Sequence, residues 1–122
     1  MSSALSIRPG SLTTNVIDDP QVDATAQDNI MTGAGVVFAV QIDNSANTDQ
    51  DVFVKIWNNI NPTVGTDAAH MVLKGPAGTT KCSSFLQGIA FGTGISYACV
   101  TSAATAGTTP PTSPVKVIMQ VS

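Results

Sequence analysis

The chain has 122 residues, of which 43% are hydrophobic and only 11% are charged, and its formal net charge is -3. This length supports one domain with one hydrophobic core, and the charged fraction is well below the roughly 25% of an average soluble domain. The basic residues are scattered, and no stretch approaches the ~18 apolar residues of a membrane helix, so we expect neither nucleic acid nor a membrane as a partner.

Residues 1–31 are polar and unpatterned, with prolines at Pro9 and Pro20. Because such a segment cannot form a core of its own, we interpret it as an extended N-terminal arm that lies on a sheet of its own chain or on a neighbouring subunit. The isolated apolar residues of the arm are its predicted partner contacts. They are Leu5, Ile7, Leu12, Val16 and Ile17.

The segment VVFAVQID, residues 36–43, alternates in the manner of a strand and predicts that Val36, Phe38, Val40 and Ile42 share one face. The segment VFVKIW, residues 52–57, alternates in the same way. We predict that these two strands form an antiparallel pair joined by the polar loop between them. The acidic residues are all aspartates, which favour turns over helix interiors, so long surface helices are not expected.

Further short strands are predicted on both sides of the turn KGPAG and on both sides of the turn GTG. The closing segment VKVIMQV is a strand that we expect to pair with an early one. Six to eight short strands without a helical period indicate a single antiparallel β-sandwich or jelly-roll-like domain over residues 32–122. The strand order stays open at this point.

Two glycine pairs, GAG at 33–35 and GTG at 92–94, are candidates for a phosphate-binding loop. Such a loop follows a strand and opens a helix, so that backbone N–H groups and the helix N-terminus meet the anion. Both pairs lead into strand-like segments instead. We therefore interpret them as turns whose glycines adopt a positive φ.

The sequence offers no set of residues for catalysis or for metal binding. His70 is the only histidine, which excludes a site with two histidine ligands, and no G-x-S-x-G segment is present. The segment DNSANTDQD resembles a calcium loop, but Thr48 stands where glycine is needed and Val54 where the bidentate glutamate is needed. We interpret it as a solvated hairpin loop and expect no enzyme activity, no cofactor and no metal.

Cys82 and Cys99 are interpreted as small core or half-core residues, and a disulfide is possible if they lie on paired strands. The single tryptophan, Trp57, has two interpretations, since it either packs in the core or anchors a subunit interface. We include Trp57 among the predicted partner contacts.

The segments KIWNNINPTVGTDAAHMVLKGPAG and FLQGIAFGTGISYACVT resemble small virion structural proteins and repeat domains of tailed bacteriophages. The shared pattern is an aromatic-Asn strand end, PTVGTDA, V-L-x-x-P-A-G, F-x-x-G-I-A-F and T-G-I-S-Y-A, and it covers residues 52–101. The resemblance implies an all-β unit on a phage particle and no catalytic residues.

We therefore expect a non-enzymatic virion protein, made in the host cytoplasm and located on the capsid surface. The function that we favour is capsid decoration, also called cement, in which the protein binds the major capsid protein. Because decoration proteins are generally symmetric oligomers, we expect a homo-oligomer and favour a trimer. The alternative is a tail or head-fibre component that binds a receptor or a carbohydrate.

Overall fold

A computed structural model describes residues 15–122, and within this range the chain forms seven β-strands and no helix. The strands are β1 (Asn15–Val22), β2 (Gly35–Asp43), β3 (Val52–Asn58), β4 (Met71–Gly75), β5 (Thr80–Phe91), β6 (Ile95–Val100) and β7 (Val115–Val121). They make two antiparallel sheets, a four-stranded sheet in the order β1-β7-β2-β5 and a three-stranded sheet in the order β4-β3-β6. The all-β sandwich predicted from the sequence is confirmed.

The hydrophobic core lies between the two sheets and is built mainly from valine. Its central members come from β2, β3, β6 and β7. They are Val37, Val40, Ile42, Val52, Val54, Ile56, Ile95, Tyr97, Cys99, Val115, Val117, Met119 and Val121. Alternate residues of β7 are fully buried while those between them are not, as expected for a strand with one face on the core.

A β-bulge in β2 shifts its alternation. Val37 pairs with Val121 of β7 and Ala39 pairs with Gln120, so Phe38 is an extra residue. The buried residues are consequently Val37 before the bulge and Val40 after it. The prediction that Val36 and Phe38 share the core face with Val40 is wrong for this reason.

The predicted hairpin of the second and third strands is also wrong, because β2 and β3 lie in different sheets. The strands predicted on the two sides of KGPAG and of GTG are present as β4, β5 and β6, and β5 lies in a different sheet from β4 and β6. Each of these connections carries the chain from one sheet to the other, so that two apolar faces meet across the core. The expectation for the closing strand is confirmed, since β7 pairs with both β1 and β2.

The predicted extended arm is not confirmed. Residues 15–22 form β1, which pairs with β7 and places Val22 in the core. Residues 23–30 run along β6, where the backbone N–H of Cys99 donates to Asp23 and that of Ile30 donates to Ile95. The predicted contacts Leu5, Ile7 and Leu12 lie outside the described residues.

Two buried asparagines connect three loops at one end of the sandwich. The Asn44 Nδ2 group donates to the carbonyl of Gln50 at 2.8 Å, to that of Gly75 at 3.0 Å and to that of Pro76 at 3.3 Å. Its Oδ1 atom accepts from Asn47 Nδ2 at 2.9 Å. The loop after β2 is thereby bonded to the turn between β4 and β5.

The second asparagine extends this network to the segment before β7. Asn47 Nδ2 donates to the Ser113 carbonyl at 2.9 Å, and Asn47 Oδ1 accepts from the Ser113 backbone N–H at 2.8 Å. Both asparagines are almost fully buried, which corrects the interpretation of residues 43–51 as a solvated loop. We call Asn44, Asn47 and the backbone groups that they bind the amide hub.

Replacing Asn44 with alanine is expected to destabilise the protein by about 1–3 kcal/mol for each buried backbone carbonyl that is left without a donor. Urea denaturation of the wild type and of Asn44→Ala measures the difference. The matched control is Asn61→Ala, which removes an exposed asparagine from another loop and should change stability by less than about 0.5 kcal/mol. Equal effects of the two substitutions would contradict a structural role of the hub.

Candidate functional site

The predicted partner contacts that the structure describes do not form one surface. Val16 lies on the outer face of the four-stranded sheet and is 39% exposed. Ile17 points to the opposite side and packs against the core. Trp57 is fully buried, and its indole N–H donates to the Asp67 carbonyl at 2.9 Å, so its position agrees with the packing interpretation.

One half of the outer face of the four-stranded sheet is mainly apolar, with the exposed Gln120 lying between Val16 and Ala39. We call it the outer patch and define it by Val16, Val36, Phe38, Ala39 and Ile118. These side chains are half-buried or exposed and are not part of the core cluster. The β2 bulge creates the patch, because it puts Phe38 and Ala39 on the same outer face.

The other half of the outer face is polar. Lys116 and Asp18 approach to 3.9 Å there, and both side chains are about half exposed. Asp43 accepts from the hydroxyl and the backbone N–H of Ser45, and these hydrogen bonds lower its pKa. The outer face therefore changes from polar at the hub end to mainly apolar at the end where β1 begins, with Asp18 beside Ile118 at the boundary.

A second and larger bulge borders the outer patch. Ser84 pairs with Ala39 and Ile89 with Val37, so residues 85–88 of β5 stand opposite the single residue Phe38. Leu86 in this bulge is 99% exposed, the highest value among the exposed large hydrophobic residues. Gly88 has a φ of 76°, and a Cβ atom there would lie 2.3 Å from a Val36 methyl, so only glycine fits.

A polar cleft lies at the end of the sandwich opposite the amide hub. Its volume is about 360 Å³, and it is lined by Trp57, Asn58, Asn59, Asp67, Ala68, Ala69 and His70. Asn58 Oδ1 accepts from the backbone N–H groups of Thr93 and Gly94, which fixes this side chain at the rim. The His70 ring packs edge-on against Phe91 at a centroid distance of 4.7 Å.

Lys55 is a buried cation on the outer side of the three-stranded sheet. Its ammonium group donates to the Ala104 carbonyl at 2.5 Å and to the Gly107 carbonyl at 3.4 Å. Burial lowers the pKa of Lys55, because the charged form is desolvated. Lys55 thus holds the loop between β6 and β7 against β3, a contact that strand alternation alone did not indicate.

A buried tyrosine connects β1 to the opposite sheet. The Tyr97 hydroxyl donates to Asp19 Oδ2 at 2.8 Å, and burial together with this carboxylate raises the pKa of Tyr97. The core side of β1 therefore carries one carboxylate that has a direct partner across the sandwich. This pair has a structural role, because it joins the two sheets.

The two cysteines lie on different sheets and are not bridged. Cys99 is in the core, as predicted, whereas Cys82 is exposed on β5, so its interpretation as a core or half-core residue is wrong. Burial is the main cause that raises the pKa of the Cys99 thiol from 9.0 to about 12. Cys82 is therefore the accessible thiol of the pair.

The GTG segment turns the chain between sheets, but not for the predicted reason. Neither Gly92 nor Gly94 has a positive φ. At Gly94 a Cβ atom would lie 2.8 Å from an Ile60 methyl, so close packing is what requires glycine. In the GAG segment Gly33 has a positive φ of 129°, as predicted, whereas Gly35 does not and is the first residue of β2.

Within residues 15–122, no group of three or more histidine, cysteine, aspartate or glutamate side chains is placed to hold a metal ion. The same part of the chain contains no helix of the length and apolarity needed to cross a membrane. Comparisons with protein-family models, with curated proteins and with solved structures find no match.

The raised pKa of Cys99 predicts a pH dependence of stability. Above pH 9 the thiol ionises in the unfolded chain but stays protonated in the fold, so stability falls as pH rises toward 12. At pH 10 this loss is about 1 kcal/mol. The free energy of unfolding is measured by urea denaturation at pH 8 and at pH 10. It should decrease less between these two pH values in Cys99→Ala than in the wild type.

The control for this experiment is Cys82→Ala, which removes the exposed thiol and should leave the wild-type loss unchanged. Tyr97 and Lys55 also titrate at high pH, but they are common to all three proteins and cancel in the differences. If the free energy of unfolding fell equally with pH in the wild type and in Cys99→Ala, the buried thiol would not contribute to the pH dependence of stability.

Proposed function

We propose that this protein is a non-enzymatic virion structural protein of a tailed bacteriophage, and that it decorates the capsid by binding the major capsid protein. The observation that carries the proposal is Leu86, a fully exposed leucine on a strand bulge beside the outer patch. A single exposed leucine is common on protein surfaces, but one that borders further exposed and half-buried apolar side chains is typical of a surface that a partner buries.

The charge distribution supports the same proposal. Two ion pairs, Lys74 with Asp51 and Lys116 with Asp18, are found among the described residues, and all four side chains are about half exposed. Exposed ion pairs of this kind contribute little to stability or to binding, and dissolved salt screens them. A shell protein whose contacts are mainly apolar keeps its affinity when the ionic strength changes.

Several details belong to this proposal as expectations. We expect a homo-oligomer, with a trimer favoured, located on the capsid surface after synthesis in the host cytoplasm. We also retain the jelly-roll-like subtype as a prediction, since the described residues supply seven strands and a jelly roll has eight.

Replacing Leu86 with serine is expected to weaken binding to capsids roughly 10- to 100-fold, because burial of a leucine side chain contributes about 1.5–3 kcal/mol. Co-sedimentation of the purified protein with capsids that lack it gives the affinity. The matched control is Ile60→Ser, which removes an exposed hydrophobic residue near the other sheet and should leave binding unchanged. Equal binding of all three proteins would reject Leu86 as the anchor.

Mass spectrometry of purified particles, with heads and tails separated, tests the location independently of any variant. The proposal requires this protein in heads at a copy number comparable to that of the major capsid protein. A few copies in tails would favour the alternative below, and absence from both fractions would reject the virion assignment.

The second candidate is a tail or head-fibre component that binds a receptor carbohydrate, and the polar cleft is the observation that favours it. The cleft presents amide, carboxylate and imidazole groups from Asn58, Asn59, Asp67 and His70. Such groups suit a hydroxyl-rich ligand. Because Trp57 is buried, a sugar would be held by hydrogen bonds rather than by stacking.

A glycan array separates the two candidates. If the cleft binds a sugar, the wild type gives a saturable signal, and His70→Ala loses most of it while Lys81→Ala, on the far sheet, keeps it. Absence of any saturable signal on a broad array would remove the carbohydrate candidate.

A further inference from the structure

We propose that residues 15–30 dock on a second copy of this chain as well as on their own, so that copies exchange this segment and form a homo-oligomer. We call residues 15–30 the exchange segment and residues 31–34 the hinge. The proposal concerns the free protein and is independent of the proposed function. Exchange replaces β1 of one copy with β1 of another, so it adds no strand to a sheet edge.

The exchange segment closes one side of the sandwich and contacts both sheets. Its first part, β1, pairs with β7. Its second part bonds to β6 of the other sheet, where Gln27 and Tyr97 share two backbone hydrogen bonds of 2.9 and 3.1 Å. Ile17, Val22 and Ile30 pack in or against the core. All of these partners follow the hinge in the chain, so a second copy offers the same contacts.

Two polar side-chain contacts make this docking specific. The Tyr97 hydroxyl donates to Asp19 Oδ2 at 2.8 Å, and the Ser96 hydroxyl accepts from the Asn29 backbone N–H at 2.9 Å. Both Tyr97 and Ser96 are buried, so a segment without an acceptor and a donor at these places would leave buried polar groups with fewer partners. The exchange segment of a second copy supplies both groups, and neither contact is lost.

The hinge decides between the closed and the exchanged forms, because it is the part of the chain whose conformation differs between them. In the closed form Thr32 has a φ of 52°, in the left-handed region that a β-branched residue rarely adopts. Asn29, just before the hinge, has a φ of 50°, which asparagine tolerates better. Extending the hinge relieves the strain at Thr32, and strain in a short hinge favours exchange.

Few hydrogen bonds oppose the extension of the hinge. Within residues 15–122, two hydrogen bonds join the exchange segment to the hinge. The Asn29 carbonyl accepts from the Thr32 N–H at 3.0 Å, and Asn29 Oδ1 accepts from the Gly33 N–H at 2.8 Å. Thr32 is exposed, so water can replace its bond in the extended form. Because association costs translational and rotational freedom, we expect exchange at high protein concentration.

The experiment traps β1 against the β7 strand on which it lies. Val16 and Gln120 are paired and exposed, so the substitutions Val16→Cys and Gln120→Cys allow a disulfide between the strands. Cys82→Ser removes the exposed native thiol, and Cys99 is buried. Isotopically heavy and light samples of this full-length protein are mixed, incubated at high concentration and then oxidised. Mass spectrometry counts the disulfide-linked peptides from positions 16 and 120 that combine heavy with light.

The expected result is a fraction of heavy–light pairs well above that of a sample oxidised immediately after mixing. Adding Thr32→Gly should lower this fraction about 10-fold where exchange is incomplete, because glycine accepts a positive φ and the closed hinge is no longer strained. The matched control is Thr105→Gly, which changes an exposed threonine without a positive φ in the loop between β6 and β7. This control should leave the fraction unchanged.

Two results would overturn the proposal. If linked peptides are only heavy–heavy or light–light at every protein concentration, the exchange segment stays on its own chain. If heavy–light pairs form but are equally abundant with Thr32→Gly and with Thr105→Gly, strain in the hinge does not drive exchange.

Discussion

The amide hub is the constraint on which the arrangement of the two sheets depends. The chain crosses between sheets after β2, after β4 and before β7, and the hub bonds these three connections to one another through Asn44 and Asn47. Apolar contact between two valine-rich faces is not directional, so it does not by itself fix how one sheet lies on the other. Buried amides with satisfied hydrogen bonds supply that direction.

The amide hub lies at one end of the sandwich, and the candidate binding features lie toward the opposite end. The polar cleft, the first residue of β1 and the outer patch all lie toward the end that is remote from the hub. Packing is tight there as well, as at Gly94, but the side chains at the rim are polar and accessible. A partner or ligand that binds at this end would not disturb the hydrogen bonds that hold the sheets together.

Strand positions could be predicted from the sequence because alternation is a local property, whereas sheet membership could not. The alternation in β7 matches its buried face residue by residue. The bulge at Phe38 has no local signal, and it reverses the face of every residue before it, which concealed the outer patch. Likewise, the run NSANTDQD has the composition of a solvated loop, and only tertiary contacts make Asn44 and Asn47 core residues.

The edges of the two sheets are poorly suited to pairing with a strand of another chain. On β1 the register shifts between Asp19 and Val22, around Pro20, and on β5 the four-residue bulge interrupts the ladder. Residues 23–30 cover β6, and β4 is short and carries Lys74. Edges of this kind resist the addition of a further strand. The association with capsids that we propose would therefore depend on side chains such as Leu86, and the bulge that interrupts strand pairing is also what exposes that leucine.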